Sequence, residues 1–165
     1  MPKQVIEYRC LLISPGDVTE ERDELTKLIN NWNAQIGSGL GARLELVRWE
    51  SHATPDMADK AQNVINKQLL EECDLGIAVF WYRLGTATEN YPSGSVEEIY
   101  RLLQQKSRVM VYFCNRPIPQ EALRNDQFAK LQDIRRKFED EGLLATYSDS
   151  ANLREQVQLH LTKAS

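Results

Sequence analysis

A carboxylate, several aromatic rings and one guanidinium stand where they could act on a nucleoside. Glu98 follows the polar stretch Tyr82 to Ser95 and lies within an apolar helical pattern of Val96, Ile99, Tyr100 and Leu103. A carboxylate there can hydrogen-bond a sugar's hydroxyls and stabilise positive charge developing at its anomeric carbon, as carboxylates do when glycosidic bonds break. Trp49, Trp81 and Tyr82 offer flat faces for a heterocycle, and Arg83 stands beside them. Each of these residues also has a plainer role open to it. Ser95 and Glu98 are in S-x-x-E register, so Glu98 can equally be the reciprocal partner of a capping box. Glu97 reads as a solvated first-turn acid favoured by the helix dipole. The aromatic side chains can be core or rim residues, and Arg83 can belong to the surface.

Other chemistries find less support. Ser14-Pro15-Gly16-Asp17 follows an apolar run, but has neither a dinucleotide-binding glycine triplet nor a Gly-Lys-Ser/Thr ending. Gly37-Ser38-Gly39-Leu40-Gly41 is glycine-rich, yet it follows a helical pattern and reads as a helix stop and turn. No Gly-x-Ser-x-Gly elbow follows a strand. A phosphoacceptor receiver would need an Asp at the end of the third strand, where Phe80 and Trp81 stand. Cys10, Cys73 and Cys114 are odd in number and widely spaced, which fits small buried hydrophobes. With only His52 and His160 besides, the usual zinc ligands are missing and no metal is expected. The net charge of −4 argues against a nucleic-acid partner. The one basic cluster, Arg135 to Lys137, is interleaved with Asp133, Glu139, Asp140 and Glu141, as on a solvated helix face.

The elements that must position these residues alternate short apolar runs with segments of helical period, the pattern of βαβ units on a parallel sheet. Tyr8 to Ser14 is the first strand. Asp17 and Glu20 have capping-box spacing, and Leu25, Leu28, Ile29, Trp32 and Ile36 mark a first helix closed by Gly37 and Gly39. Arg43 to Trp49 alternates like an edge strand, and a loop over 50–57 follows. Ala61, Val64, Ile65 and Leu69 mark a second helix ending near Cys73. Leu75 to Trp81 is a continuous apolar run, as in a central strand buried on both faces. Then come the third helix, a strand over Arg108 to Cys114, a helix through Phe128 to Phe138, a short strand at Leu143 to Tyr147 and a last helix through Leu161. The expected architecture is α/β: a flavodoxin-like three-layer fold with a parallel sheet ordered 2-1-3-4-5. Ligands of such sheets bind at the strands' carboxyl ends, where strand order reverses. That crevice would be lined by Ser14, Pro15, Gly16 and Asp17, by Phe80 to Gly85, and by the start of the third helix.

At 165 residues the chain is read as a single domain over 1–165. No apolar run approaches the ~20 residues of a membrane span, and Met1 to Glu7 do not resemble a signal peptide, so a cytoplasmic location without a membrane partner is expected.

The residues Leu12-Ile13-Ser14-Pro15-Gly16-Asp17-Val18, Glu21-Arg22, Val47-Arg48-Trp49-Glu50, Cys73-Asp74, Phe80-Trp81-Tyr82-Arg83-Leu84-Gly85-Thr86 and Ser93-Gly94-Ser95-Val96-Glu97-Glu98-Ile99 together resemble a TIR-like domain. The chain is most similar to a bacterial branch long catalogued as a domain of unknown function and often found at the N-terminus of larger defence proteins. The resemblance implies the TIR-type fold and two possible activities. Enzymatic members cleave the nicotinamide glycosidic bond of NAD with a glutamate early in the third helix, often followed by an apolar residue, as Glu98 is by Ile99. Other members are adaptors that only self-associate. For the first activity, the resemblance makes Glu98 catalytic, with Ser14, Trp49, Trp81, Tyr82 and Arg83 lining the site and Arg83 reaching the pyrophosphate. Gly94 stands where catalytic members often carry an aromatic residue, leaving Trp81 or Tyr82 to supply the stacking surface. NAD would be substrate, with no cofactor, and the product linear or cyclised ADP-ribose. The 50–57 loop and helix surfaces would serve self-association in bacterial antiphage immunity, with a fused or partner sensor domain if the chain is a piece of a longer protein. Nucleoside deoxyribosyltransferases, which use a glutamate on a similar sheet, are the related alternative.

Overall fold

The most continuously apolar run of the chain, Leu75–Phe80, forms strand β3 and is buried at every residue. Around it lie β1 (Ile6–Ile13), β2 (Ala42–Val47), β4 (Arg108–Cys114) and β5 (Leu144–Tyr147), all parallel, in the order β2-β1-β3-β4-β5. This is the expected order. The computed structural model describes residues 2–14, 18–47, 69–84, 94–124 and 126–164.

Parallel neighbours need long crossovers, which helices supply. Helix α1 is Thr19–Trp32, α2 is seen at residues 69–71, α3 is Gly94–Gln104, α4 is Asp126–Asp140 and α5 is Ser150–Ala164. One face of the sheet receives α1 and α5 through Leu25, Ile29, Trp32, Leu153 and Val157 on Cys10, Leu12, Ile77 and Val79. The other receives α3 and α4 through Val96, Ile99, Leu102, Leu131 and Phe138 on Leu11, Ile13, Ala78 and Phe80. Strict alternation along β1 and β3 therefore feeds two cores, as the two-residue period of a strand requires. Gly76 lets α3 come close to β3: a Cβ there would stand 2.5 Å from Leu102 Cδ1.

Several local expectations are corrected. Helix α1 is N-capped by Val18 with no side-chain cap bond, and Asp17 of the expected Asp17–Glu20 capping box lies outside the described residues. Gly37 and Gly39 do not stop it either. The chain stays right-handed through a π-helical turn, Asn33–Gly37, and one more turn, Ser38–Leu40, and ends at Gly41, whose φ of 68° suits a residue without Cβ. The π turn presents Asn33 to the outer edge of β2, where its Nδ2 donates to the Leu44 carbonyl (2.8 Å) and its Oδ1 accepts from the Leu44 N–H (2.7 Å). Strand β1 begins earlier than expected, because Ile6 and Glu7 find register partners in Ala42 and Arg43. All three cysteines are free and buried. Among the described residues, no helix is long and apolar enough to cross a membrane and no group of three or more His, Cys, Asp or Glu could hold a metal.

Candidate functional site

The carboxyl ends of β1, β3, β4 and β5 converge on one rim of the sheet, and side chains from four segments meet there. Glu21, on the first turn of α1, is only 1% exposed. Its Oε1 accepts from Arg116 Nη2 (3.0 Å) and its Oε2 from the Tyr147 hydroxyl (3.2 Å). Arg116, two residues beyond β4, also directs Nε to Cys114 Sγ (2.9 Å), and its guanidinium lies 4.6 Å over the Trp81 ring. The Trp81 indole N–H donates to the Arg116 carbonyl (3.3 Å). Tyr82 meets Trp81 edge-on at 4.6 Å, and Arg83 lies 5.7 Å over the Tyr82 ring. The result is a run from buried carboxylate to exposed guanidinium: Glu21, Arg116, Trp81, Tyr82, Arg83.

Burial pushes the Glu21 carboxyl above its usual range, with Arg116 and the Tyr147 hydrogen bond pulling it back. Burial likewise raises the Tyr147 phenol, and the Glu21 charge adds to the rise. An isolated carboxylate so placed would be costly, and the charge-assisted bond from Arg116 together with the Tyr147 hydroxyl offsets it.

The helix that carries Glu98 packs on the other face. Glu98 lies on the second turn of α3, half-buried, and α3 packs Val96, Ile99 and Leu102 against the core opposite α1 and α5. Ser95 is already inside the helix, so it is not an N-cap and the Ser95–Glu98 capping box does not form. Glu97 pairs with Arg101 at 3.2 Å instead. The Cys73 thiol is pushed up to about 11, chiefly by burial and then by Asp74; Glu98 adds to the rise, so its carboxylate is within electrostatic reach of the turn leading into β3.

The structure thus brings Trp81, Tyr82 and Arg83 into one run. It seats the Trp81 ring against the α1–α5 core, across the sheet from the helix that carries Glu98. Ser14 is half-buried just beyond β1. Pro15, Gly16, Asp17, Trp49, Gly85 and the 50–57 loop lie outside the described residues. Sequence reasoning passed over Glu21, Arg116 and Tyr147 as site residues. A signal for Glu21 was present: it shares the apolar stripe of Leu25, Leu28 and Trp32 at helical spacing, an unusual place for an acid.

The family described as Domain of unknown function (DUF4062) matches residues 14–162. Among solved structures, the chain is similar to one titled crystal structure of the RPS4 and RRS1 TIR domain heterodimer. The TM-score is 0.54 at 10% identity, covering 95% of this chain and 96% of that one. No curated protein matches.

Proposed function

The chain belongs to that family and has a TIR-like fold, and on that premise we propose that it cleaves the nicotinamide–ribose bond of NAD when copies associate, as an effector of bacterial antiphage immunity. The observation that carries this reading is Glu98: a half-buried carboxylate near the start of α3, the helix that follows β3 and its strand-end loop. In the proposed reaction Glu98 holds the ribose hydroxyls and stabilises the oxocarbenium-like transition state. The bond from ribose C1′ to the pyridinium nitrogen breaks, and its electron pair leaves with nicotinamide. Water then adds at C1′ and loses a proton, giving ADP-ribose, or an adenine nitrogen takes water's place and closes the cyclic product. NAD is consumed as substrate and no cofactor takes part.

Trp81, Tyr82 and Arg83 follow directly on the carboxyl end of β3, the rim where the two faces of the sheet meet, and on that ground are assigned to the substrate side, together with Ser14, Pro15, Gly16, Asp17, Trp49 and Gly85. The solved TIR pair is a heterodimer, which favours association of TIR-type modules as part of the function and keeps a non-catalytic adaptor as the second reading.

The test is nicotinamide release from NAD by protein clustered on a self-associating tag, compared with Glu98→Gln. Loss of an electrostatic stabiliser of the transition state should slow release by about 10²–10³-fold. Glutamine keeps the length of the side chain and its hydrogen-bonding atoms, so stability should stay within about 0.5 kcal/mol. Equal activity in Glu98→Gln would remove Glu98 from the reaction. Clustered protein that never releases nicotinamide would leave the adaptor.

A further inference from the structure

We propose that Arg116 is a positioning residue that fixes the orientation of Trp81 and, through it, of the Tyr82–Arg83 surface at the mouth of the strand-end crevice. The proposal rests on the reading that this crevice receives NAD. Arg116 holds Trp81 at two points. Its guanidinium covers the ring at 4.6 Å, and its carbonyl takes the indole N–H at 3.3 Å. The guanidinium is itself held by Glu21 at 3.0 Å and by Cys114 Sγ at 2.9 Å. Only a planar fork can reach a carboxylate, a sulfur and a ring face together; an ammonium is a single point. Tyr82 leans edge-on against Trp81 and Arg83 covers Tyr82, so a rotation of the indole is passed outward to the exposed guanidinium.

Stability alone does not call for this arrangement. A buried ion pair is often matched or bettered by apolar residues of similar volume, and Glu21 occupies a position on the apolar stripe of α1 where a leucine would pack. What an apolar replacement cannot supply is a fixed geometry for the indole.

The experiment compares Arg116→Lys and Arg116→Met with the parent protein, under clustering, by two readouts. One is hydrogen exchange of the Trp81 indole N–H, whose resonance is assigned by its disappearance in Trp81→Phe. The other is KM and kcat for nicotinamide release. The expected result is indole exchange faster by about tenfold or more in both variants. KM should rise about fivefold with kcat within about twofold, and lysine should give no rescue. Leu161→Ala, which loosens the α1–α5 core near the far end of α5, is the control for a merely structural loss and should leave KM unchanged. Unchanged indole exchange, full rescue by lysine, or the same KM rise in Leu161→Ala would overturn the proposal. If the Arg116 variants do not fold, Glu21→Gln removes only the counter-charge and should shift both readouts the same way by less. Should the parent protein release no nicotinamide, the NAD reading fails, and indole exchange alone still decides whether Arg116 orients Trp81.

Discussion

On the α3–α4 face of the sheet, the buried side chains among the described residues are Leu, Ile, Val, Ala, Phe and Cys. On the α1–α5 face the same kind of apolar packing is interrupted by a carboxylate, a guanidinium and a phenol at the strand ends. Farther down that face, the Tyr112 hydroxyl lies 2.5 Å from His160 Nδ1. Glu21 is the one charged residue buried among the described residues. The contrast separates two tasks. One face packs its core with non-directional contacts, which tolerate small shifts, and keeps directional bonds, from Gln105 to the Leu70 and Cys73 carbonyls, at the end of α3; the other sets directional bonds among the core side chains themselves. The directional side coincides with the strand carboxyl ends, where parallel sheets bind ligands.

The largest effect on stability should come from the apolar face. Phe138 is fully buried and packs 5.9 Å from the Tyr100 ring, so Phe138→Ala should cost about 3–5 kcal/mol in urea unfolding. A loss below about 2 kcal/mol would mean that this side collapses easily and does not dominate the fold.

A smaller loss, about 1–3 kcal/mol, is expected for Glu21→Gln, which disturbs the buried hydrogen bonds to Arg116 and Tyr147. This loss should depend on pH. The folded carboxyl titrates above its ordinary 4.5, so the fold binds that proton more tightly than the unfolded chain does. The Glu21 contribution is then fully present below about 4.5 and is lost as pH rises through the folded value. Unfolding measured at pH 4 and pH 7 should therefore show the advantage of Glu21 over glutamine narrowing at the higher pH; a widening advantage would mean that Arg116 outweighs burial. The smallest effect is expected where α1 meets α5 at the surface. Arg154→Ala removes the 3.1 Å pair to Glu24, with both partners partly exposed, and should change stability by about 0–1 kcal/mol.

The sheet was legible because its determinants are local and periodic. The unbroken apolar run of β3, the alternation in β2 and the helical spacing between strands leave few orders open to right-handed crossovers. The end of α1 was not legible: a glycine stops a helix only when its backbone turns left-handed, and three glycines in five residues do not say which one does. The site was half legible. Trp81, Tyr82 and Arg83 adjoin in sequence, whereas Glu21 meets partners 95 and 126 residues away, pairings that no spacing rule contains. The face to which each side chain belongs was equally hidden, and so was the separation of Trp81 from the helix carrying Glu98.

The Asn33 side chain has a consequence for how copies of this molecule can meet. By exchanging two hydrogen bonds with Leu44, its carboxamide behaves as a one-residue strand laid along the side of β2 away from β1, the strand's one neighbour among the described residues. An incoming chain that sought to lengthen the sheet there would find the middle rung taken and would have to evict an amide already bonded at both ends. The sheet is thereby guarded against runaway stacking on that side.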